Sequence, residues 1–250
     1  MKYSLLSASL LLAFAAMGST SAQAQAAAAP AAEPESSLSF NAGVVSEYRY
    51  RGISQSRLQP AVQGGVDYAH KSGFYVGAWG SSIKWIRDMN GKADTEVDLY
   101  GGYKGTLGAV AYDVGYLRYE YNGNKLTPDA NTNEYYGALT LGPVTAKYSQ
   151  AKSNLFGIAN SKNSNYLAIS ATFDLGKGYS LVPHVGHQVV KNNAASSYTD
   201  YSLTLSKDLG NGLSASVAVV GTDADKTVYY TPSNKFTGKT AAVFGLKYSF

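Results

Sequence analysis

The carboxyl terminus is the feature that most limits how this chain can fold. From Ala242 to Phe250 the sequence alternates between apolar and small or polar residues, as an extended strand with two unlike faces does. The apolar face carries Ala242, Phe244, Leu246, Tyr248 and Phe250. This ending is typical of the last strand of a bacterial outer-membrane β-barrel, although an edge strand of a soluble β-sandwich is an alternative.

We interpret Leu246, Tyr248 and Phe250 as the signal that the outer-membrane assembly machinery recognises. The amino terminus agrees with export. A short positive start, Met1-Lys2, precedes an apolar run from Leu5 to Met17 and overlapping A-x-A sites. This pattern predicts a signal peptide over residues 1–24 that directs the Sec route, with cleavage after Ala24 or Ala26. We expect residues 25–37 to be disordered and residues 38–250 to form the barrel.

Composition narrows the class of protein further. The chain has no cysteine, so an exported form cannot depend on disulfides, while 26 glycines and 21 tyrosines are typical of strands and tight turns. The net charge of +4 is spread along the chain and forms no basic run, which argues against nucleic-acid binding. No sequence feature calls for a cofactor.

Extended segments and turn signals predict an all-β fold. We expect an antiparallel transmembrane β-barrel of about twelve strands, with short periplasmic turns and longer extracellular loops. The predicted strands are 38–50, 58–69, 73–85, 94–104, 108–121, 133–141, 144–152, 165–175, 178–190, 198–208, 212–223 and 239–250. Closure requires the first strand to pair with the last, because an open sheet edge in hydrocarbon leaves backbone groups unpaired.

Alternation assigns each side chain to lipid or to the lumen. A charged side chain near the middle of the lipid face costs about 2–4 kcal/mol, so charged residues within strands should point inward. The predicted lumen-lining residues are Glu47, Arg49, Asp67, Glu96, Asp98, Asp113, Lys147, Asp200 and Lys247. Tyrosines near strand ends, including Tyr48, Tyr68, Tyr119 and Tyr148, are expected in interfacial girdles, although β-propensity alone also favours tyrosine in strands.

The densest polar and aromatic patch is Ser46 to Ser56, which we expect to run off the first strand toward the cell exterior. Arg49 and Arg51 could bind an anion there, with Glu47 restraining Arg49, or the patch could be a solvated strand end. We also expect Arg51 and Arg57 to belong to basic outer loops that suit lipopolysaccharide, although ordinary solvated loops are an alternative.

This patch also carries a family resemblance. Its pattern S-x-Y-x-x-R-G-I-S-Q-S, together with G-x-Y-x-G-x-W-x-S over residues 73–81, resembles the TorF-type porins of proteobacteria, which carry the Gcw_chp domain. The resemblance implies an outer-membrane barrel, a signal peptide and a porin assignment. It implies no catalytic residue and no defined substrate.

Histidines give little support for enzymatic or metal chemistry. His184 and His187 are three residues apart, so a strand places them on opposite faces and a shared metal is not expected. A barrel lipid hydrolase would need a serine or glutamate next to one of them, and no spacing singles one out. We therefore expect no enzyme.

Two functions are compatible with these sequence features. The first is a narrow porin for passive diffusion of small hydrophilic solutes. The second is a closed structural or adhesive barrel whose outer loops bind lipopolysaccharide or a partner. Twelve strands lie between barrels filled by side chains and barrels with wide channels, so strand number does not decide between the two.

Overall fold

The fold is a closed antiparallel β-barrel of twelve wall strands, as predicted. The structure is a computed structural model and describes residues 35–250. Its strands are β1 (Ser36–Val45), β2 (Arg49–Tyr50), β3 (Ile53–Ser54), β4 (Ala61–His70), β5 (Phe74–Ser82), β6 (Thr95–Leu107), β7 (Val110–Glu120), β8 (Thr132–Leu141), β9 (Val144–Ala151), β10 (Asn165–Ala171), β11 (Phe173–Gly176), β12 (Tyr179–Val189), β13 (Tyr198–Gly210), β14 (Leu213–Thr222) and β15 (Ala241–Ser249). Strands β10 and β11 both pair with β12 and form one wall strand, and β2 and β3 lie outside the wall.

The barrel closes through the first and last strands, which confirms the expected pairing. Strand β1 pairs with β15 from Asn41 opposite Ser249 to Val45 opposite Gly245. At the end of this seam, Phe40 and Phe250 exchange backbone hydrogen bonds of 2.8 and 3.0 Å, and their rings stack. Every wall strand therefore has a neighbour on both sides, so no sheet edge is left open.

Connections differ in length between the two ends of the barrel. Both ends of the described chain and the five short turns lie at one end, where Gly108, Gly142 and Asn211 adopt the positive φ angles of tight hairpins. Longer loops lie at the opposite end, here called the outer end. One of them carries a short helix, α1 (Trp85–Asp88). Within residues 35–250, no helix is long and apolar enough to cross a membrane.

The two faces of the wall differ in chemistry. Large apolar side chains are exposed on the outside of almost every strand, for example Leu99, Leu139, Leu203 and Phe244. Polar and charged side chains alternate with them and point inward. An apolar belt around a polar interior is the arrangement that transmembrane barrels use, because lipid contacts the outside and water the inside.

The first predicted strand was wrong at its outer end. It was expected to continue to Tyr50, but β1 begins at Ser36 and ends at Val45. The following residues fold into the barrel as the hairpin β2–β3 instead of extending toward the exterior. The predicted signal peptide lies outside the described residues, as does all but the last part of the segment 25–37.

The apolar belt predicts a depth-dependent cost of charge. Leu203 lies near the middle of β13 with its side chain exposed, and Leu209 is similarly exposed beside the turn that ends the same strand. Leu203→Arg should lower the free energy of unfolding in lipid vesicles by about 2–4 kcal/mol, and Leu209→Arg by about 0–1 kcal/mol. Equal losses in urea titrations of the two variants would contradict a lipid-facing belt.

Candidate functional site

The inner hairpin, residues 46–56, is the most distinctive structure within the barrel. Arg49 pairs with Ser54 and Tyr50 with Ile53, leaving Arg51 and Gly52 in a two-residue turn with φ angles of +45° and +79°. This turn favours glycine, since L residues rarely adopt such angles. A Cβ atom on Gly52 would also lie 2.4 Å from Thr222 Cγ2 and 2.8 Å from Asp200 Cβ, so the tip packs closely against β14 and β13.

Hydroxyl groups of the sequence patch fix the base of the hairpin. The backbone N–H of Tyr48 donates to Ser56 Oγ at 3.0 Å, and the N–H of Gln55 donates to the Tyr48 carbonyl at 2.8 Å. Ser46 exchanges two hydrogen bonds with Phe244 on β15, one through its backbone N–H and one through its hydroxyl oxygen. The serines therefore satisfy backbone groups that leave the wall ladder at this point.

Tyrosines attach the hairpin to the wall strands β6 and β7. The Tyr48 hydroxyl donates to Glu96 Oε1 at 2.7 Å, and the Tyr50 hydroxyl lies 2.6 Å from that of Tyr119. Burial, together with the nearby Glu96 and Asp98 carboxylates, raises the pKa of Tyr48 well above its usual value. Tyr48 therefore remains a neutral donor to Glu96 at physiological pH.

Arg51 spans the lumen and joins strands on the opposite side. Its Nη2 donates to Glu134 Oε2 on β8 at 2.7 Å, and its Nη1 donates to Gln188 Oε1 on β12 at 2.5 Å. The guanidinium also stacks over the rings of Tyr50 and Tyr166, at 4.7 and 4.2 Å from their centroids. The guanidinium therefore donates to two oxygen atoms through its edge and contacts two aromatic rings through its faces, and a planar cation suits both kinds of contact.

Arg49 has its own partners on the hairpin's near side. It forms an ion pair with Glu47, Nε to Oε1 at 3.0 Å, and donates to the carbonyl of Lys239 at 2.7 Å. Both arginines are buried and paired with carboxylates inside the barrel. The expectations that they lie on the exterior and that Arg51 belongs to a basic outer loop were therefore wrong, and neither guanidinium is accessible to an external anion.

Outer loops cover the hairpin. Phe156 packs edge-on against Tyr50 and Tyr119, and Trp85 packs against Tyr121. The apolar cluster beneath these loops also contains Ile83 and Ile86, both completely buried. The hairpin is therefore packed against these loops and against β7.

The half of the lumen toward the short turns is here called the inner half. It differs from the outer half, which contains the hairpin. Its inward charged residues are partly exposed: Asp67, Lys104, Asp113, Lys147 and Lys247. Tyrosine hydroxyls donate to the two aspartates, Tyr100 to Asp67 at 2.5 Å and Tyr75 to Asp113 at 2.6 Å. Charges of both signs thus remain accessible to water in this half.

The predicted lumen residues Glu96, Asp98 and Asp200 lie in the outer half, at the level of the hairpin, and all three are buried. Asp200 accepts a hydrogen bond from Tyr166 at 2.8 Å and lies 3.0 Å from His184 Nε2. His187 contacts Thr199 on the other face of β12. Within residues 35–250, neither histidine hydrogen-bonds to a serine, and no three His, Cys, Asp or Glu side chains are spaced to hold a metal ion.

Sequence reasoning missed the partners of Arg51. Glu134, Gln188 and Tyr166 were not among the candidate residues, yet they hold the guanidinium. The sequence does carry a signal for Glu134: it alternates with Tyr135 and Leu139 on a predicted strand, and both of those side chains face outward. A carboxylate at that register must face the lumen.

The amino-acid sequence of this chain matches a known protein family. The sequence model of the Gcw_chp family, described as a bacterial protein of unknown function, matches residues 28–250. The chain belongs to the Gcw_chp family. No curated protein sequence matches it significantly.

Solved structures share the barrel. A KdgM porin in complex with disordered oligogalacturonate has a TM-score of 0.54 at 9% identity, over 86% of this chain and 99% of that one. A NanC porin has a TM-score of 0.51 at 11% identity, again over 86% and 99% of the two chains. At these identities the likeness shows that the Gcw_chp chain has a porin-like fold.

The arrangement around Arg51 predicts a large stability effect. Arg51→Ala removes one partner of a buried pair and leaves the Glu134 carboxylate uncompensated, so it should lower the free energy of unfolding by about 3–5 kcal/mol. The matched control is Arg57→Ala, whose pair with Asp88 is 38% exposed on the arginine side and should contribute about 0–1 kcal/mol. If urea titrations gave similar losses in the free energy of unfolding for both variants, the ion pair of Arg51 would not stabilise the fold.

Proposed function

We propose that this Gcw_chp protein is an outer-membrane porin through which small hydrophilic solutes diffuse passively. The observation that carries the proposal is a closed barrel with an apolar outer belt and a polar lumen whose inner half keeps charged side chains accessible to water. Such a wall supports a hydrated passage, since polar groups replace part of a solute's hydration. The porin-like folds of the KdgM and NanC proteins support the same function.

The inner hairpin acts as the constriction of this passage. It enters from β1 and reaches β8 and β12 on the opposite side, so it occupies the cross-section of the outer half. Solutes must pass beside the hairpin, and the remaining space limits them to small molecules. The lumen-lining roles of Glu47, Arg49, Asp67, Glu96, Asp98, Asp113, Lys147, Asp200 and Lys247 belong to this proposal.

Targeting and partners complete the proposal. The chain would be exported by the Sec route, with Leu246, Tyr248 and Phe250 as its assembly signal, and would function as a TorF-type member of its family. These three side chains share the outward face of β15, where an assembly machinery can reach them. Basic side chains of the outer loops, such as Lys162 and Lys235, would contact lipopolysaccharide.

A second function has a specific observation in its favour. Every residue from Glu47 to Ser56 is buried, and outer loops cover the hairpin. A barrel closed in this way would serve as a structural or adhesive protein whose outer loops bind lipopolysaccharide or a partner. Conductance separates the two functions, because a closed lumen passes no current.

The test shortens the hairpin without disturbing its base. Tyr48 and Gln55 are hydrogen-bonded neighbours, so residues 49–54 can be replaced by an Asn-Gly turn. Glu134→Gln accompanies the replacement, because it removes the charge that Arg51 neutralises. In planar bilayers, the wild type should give stable steps and the shortened variant larger ones, with Glu134→Gln alone as the control.

Each outcome decides between the two functions. A silent wild type with a conducting short-hairpin variant would favour the closed barrel. A folded wild type and a folded variant that both fail to conduct would contradict the porin. Heat-modifiable migration in detergent gels establishes that each sample is folded.

A further inference from the structure

One buried carboxylate in the lumen lacks the donors that its neighbours have. Asp98 points inward from β6 at the level of the inner hairpin, and only 4% of it is exposed. Its Oδ1 atom is buried and accepts no hydrogen bond from any residue in the range 35–250. A buried ionised oxygen without a donor or a counter-charge is strongly unfavourable.

Three neighbouring carboxylates accept hydrogen bonds from side chains of the hairpin or the wall. Glu96 accepts hydrogen bonds from the hydroxyls of Tyr48 and Tyr121, at 2.7 and 3.0 Å. Glu134 accepts from Arg51, and Asp200 accepts from Tyr166. The hairpin and the wall therefore supply donors to these three neighbours, whereas no hydrogen bond or ion pair from the described residues reaches Asp98 Oδ1.

Charge at this level is unbalanced. Five buried carboxylates, Glu47, Glu96, Asp98, Glu134 and Asp200, face two buried guanidinium groups, Arg49 and Arg51. Because both arginines already pair with Glu47 and Glu134, neither neutralises Asp98. The remaining charge can be balanced by protons or by cations from solution. Within the described chain, no three His, Cys, Asp or Glu side chains are spaced to hold a metal ion.

We propose that Asp98 is the selectivity-determining residue of the pore and that it makes the lumen prefer small monovalent cations to anions. The inference rests on the proposed porin function, which it deepens by naming the class of solute. A cation passing the hairpin would replace part of its hydration with the Asp98 carboxylate, as rings of acidic side chains do in cation channels. An anion at the same level would meet an excess of negative charge.

Lysines of the inner half oppose this preference but act more weakly. Lys104, Lys147 and Lys247 outnumber Asp67 and Asp113 there, which would favour anions. These side chains are partly exposed, so water and salt screen them more than they screen Asp98. Where the passage is narrowest, the buried charge controls which ion passes.

The experiment measures reversal potential across a planar bilayer under a KCl gradient. Wild-type protein should show a potential of the sign expected for potassium permeation. Asp98→Asn keeps the shape of the side chain and removes its charge, so the potential should move toward zero or reverse. Asp98→Ser provides a second neutral variant if the asparagine protein does not fold.

The matched control is Asp174→Asn, which makes the same charge change at an exposed position of β11, near the short turns at the opposite end of the barrel. It should leave the reversal potential unchanged. Conducting wild type that prefers chloride, or neutral Asp98 variants that keep the wild-type potential, would overturn the inference and leave the porin standing. The second result would mean that a proton neutralises Asp98. Folded protein that never conducts would overturn the porin function, and this inference with it.

Discussion

Closure of the sheet is the constraint on which the rest of the structure depends. A backbone that crosses hydrocarbon must satisfy all its hydrogen bonds internally, and the pairing of β1 with β15 removes the last open edge. Once the wall is closed, its hydrogen bonds hold the sheet together, and the main apolar cluster lies around the inner hairpin. The interior is then free to carry charge, and the apolar side chains can face outward.

Because the interior can hold polar and charged groups, the inner hairpin can lie inside the barrel. The chain leaves the wall after Val45, so the backbone groups that follow lose their partners in the sheet. The hydroxyl oxygens of Ser46 and Ser56 accept hydrogen bonds from the backbone N–H groups of Phe244 and Tyr48 instead. Arg51 then ties the turn to Glu134 and Gln188 across the lumen. Serine, tyrosine, arginine and glycine side chains of residues 46–56 are therefore the groups that fold and fix the hairpin of this chain.

Strand alternation predicted the wall well and the interior only in part. Twelve strands, their pairing across the seam and the outward position of Leu99 or Leu203 follow from a period of two. The same period wrongly extended the first wall strand beyond Val45, because the side chains of the inward hairpin alternate in polarity as those of a wall strand do. It also grouped the tyrosines together: Tyr68 and Tyr148 are exposed outside, whereas Tyr48 and Tyr119 are buried inside. Parity with a charged neighbour would have identified Tyr119 as inward, since it shares a face with Asp113, but not Tyr48, which alternates with Glu47 and Arg49.

Glycine and tyrosine, both abundant in this chain, pack against each other inside the barrel. Tyr136 lies over Gly115 and Tyr166 over Gly186, and a Cβ atom on either glycine would meet the tyrosine hydroxyl within 2.4 Å. Glycine on one strand thus makes room for a ring from the next, and the ring's hydroxyl is directed at a carboxylate, as Tyr166 is at Asp200. Such rings supply neutral donors to buried acids without cancelling their charge. The described interior therefore holds more buried carboxylates than buried guanidinium groups, and in the proposed pore this surplus is what favours a cation.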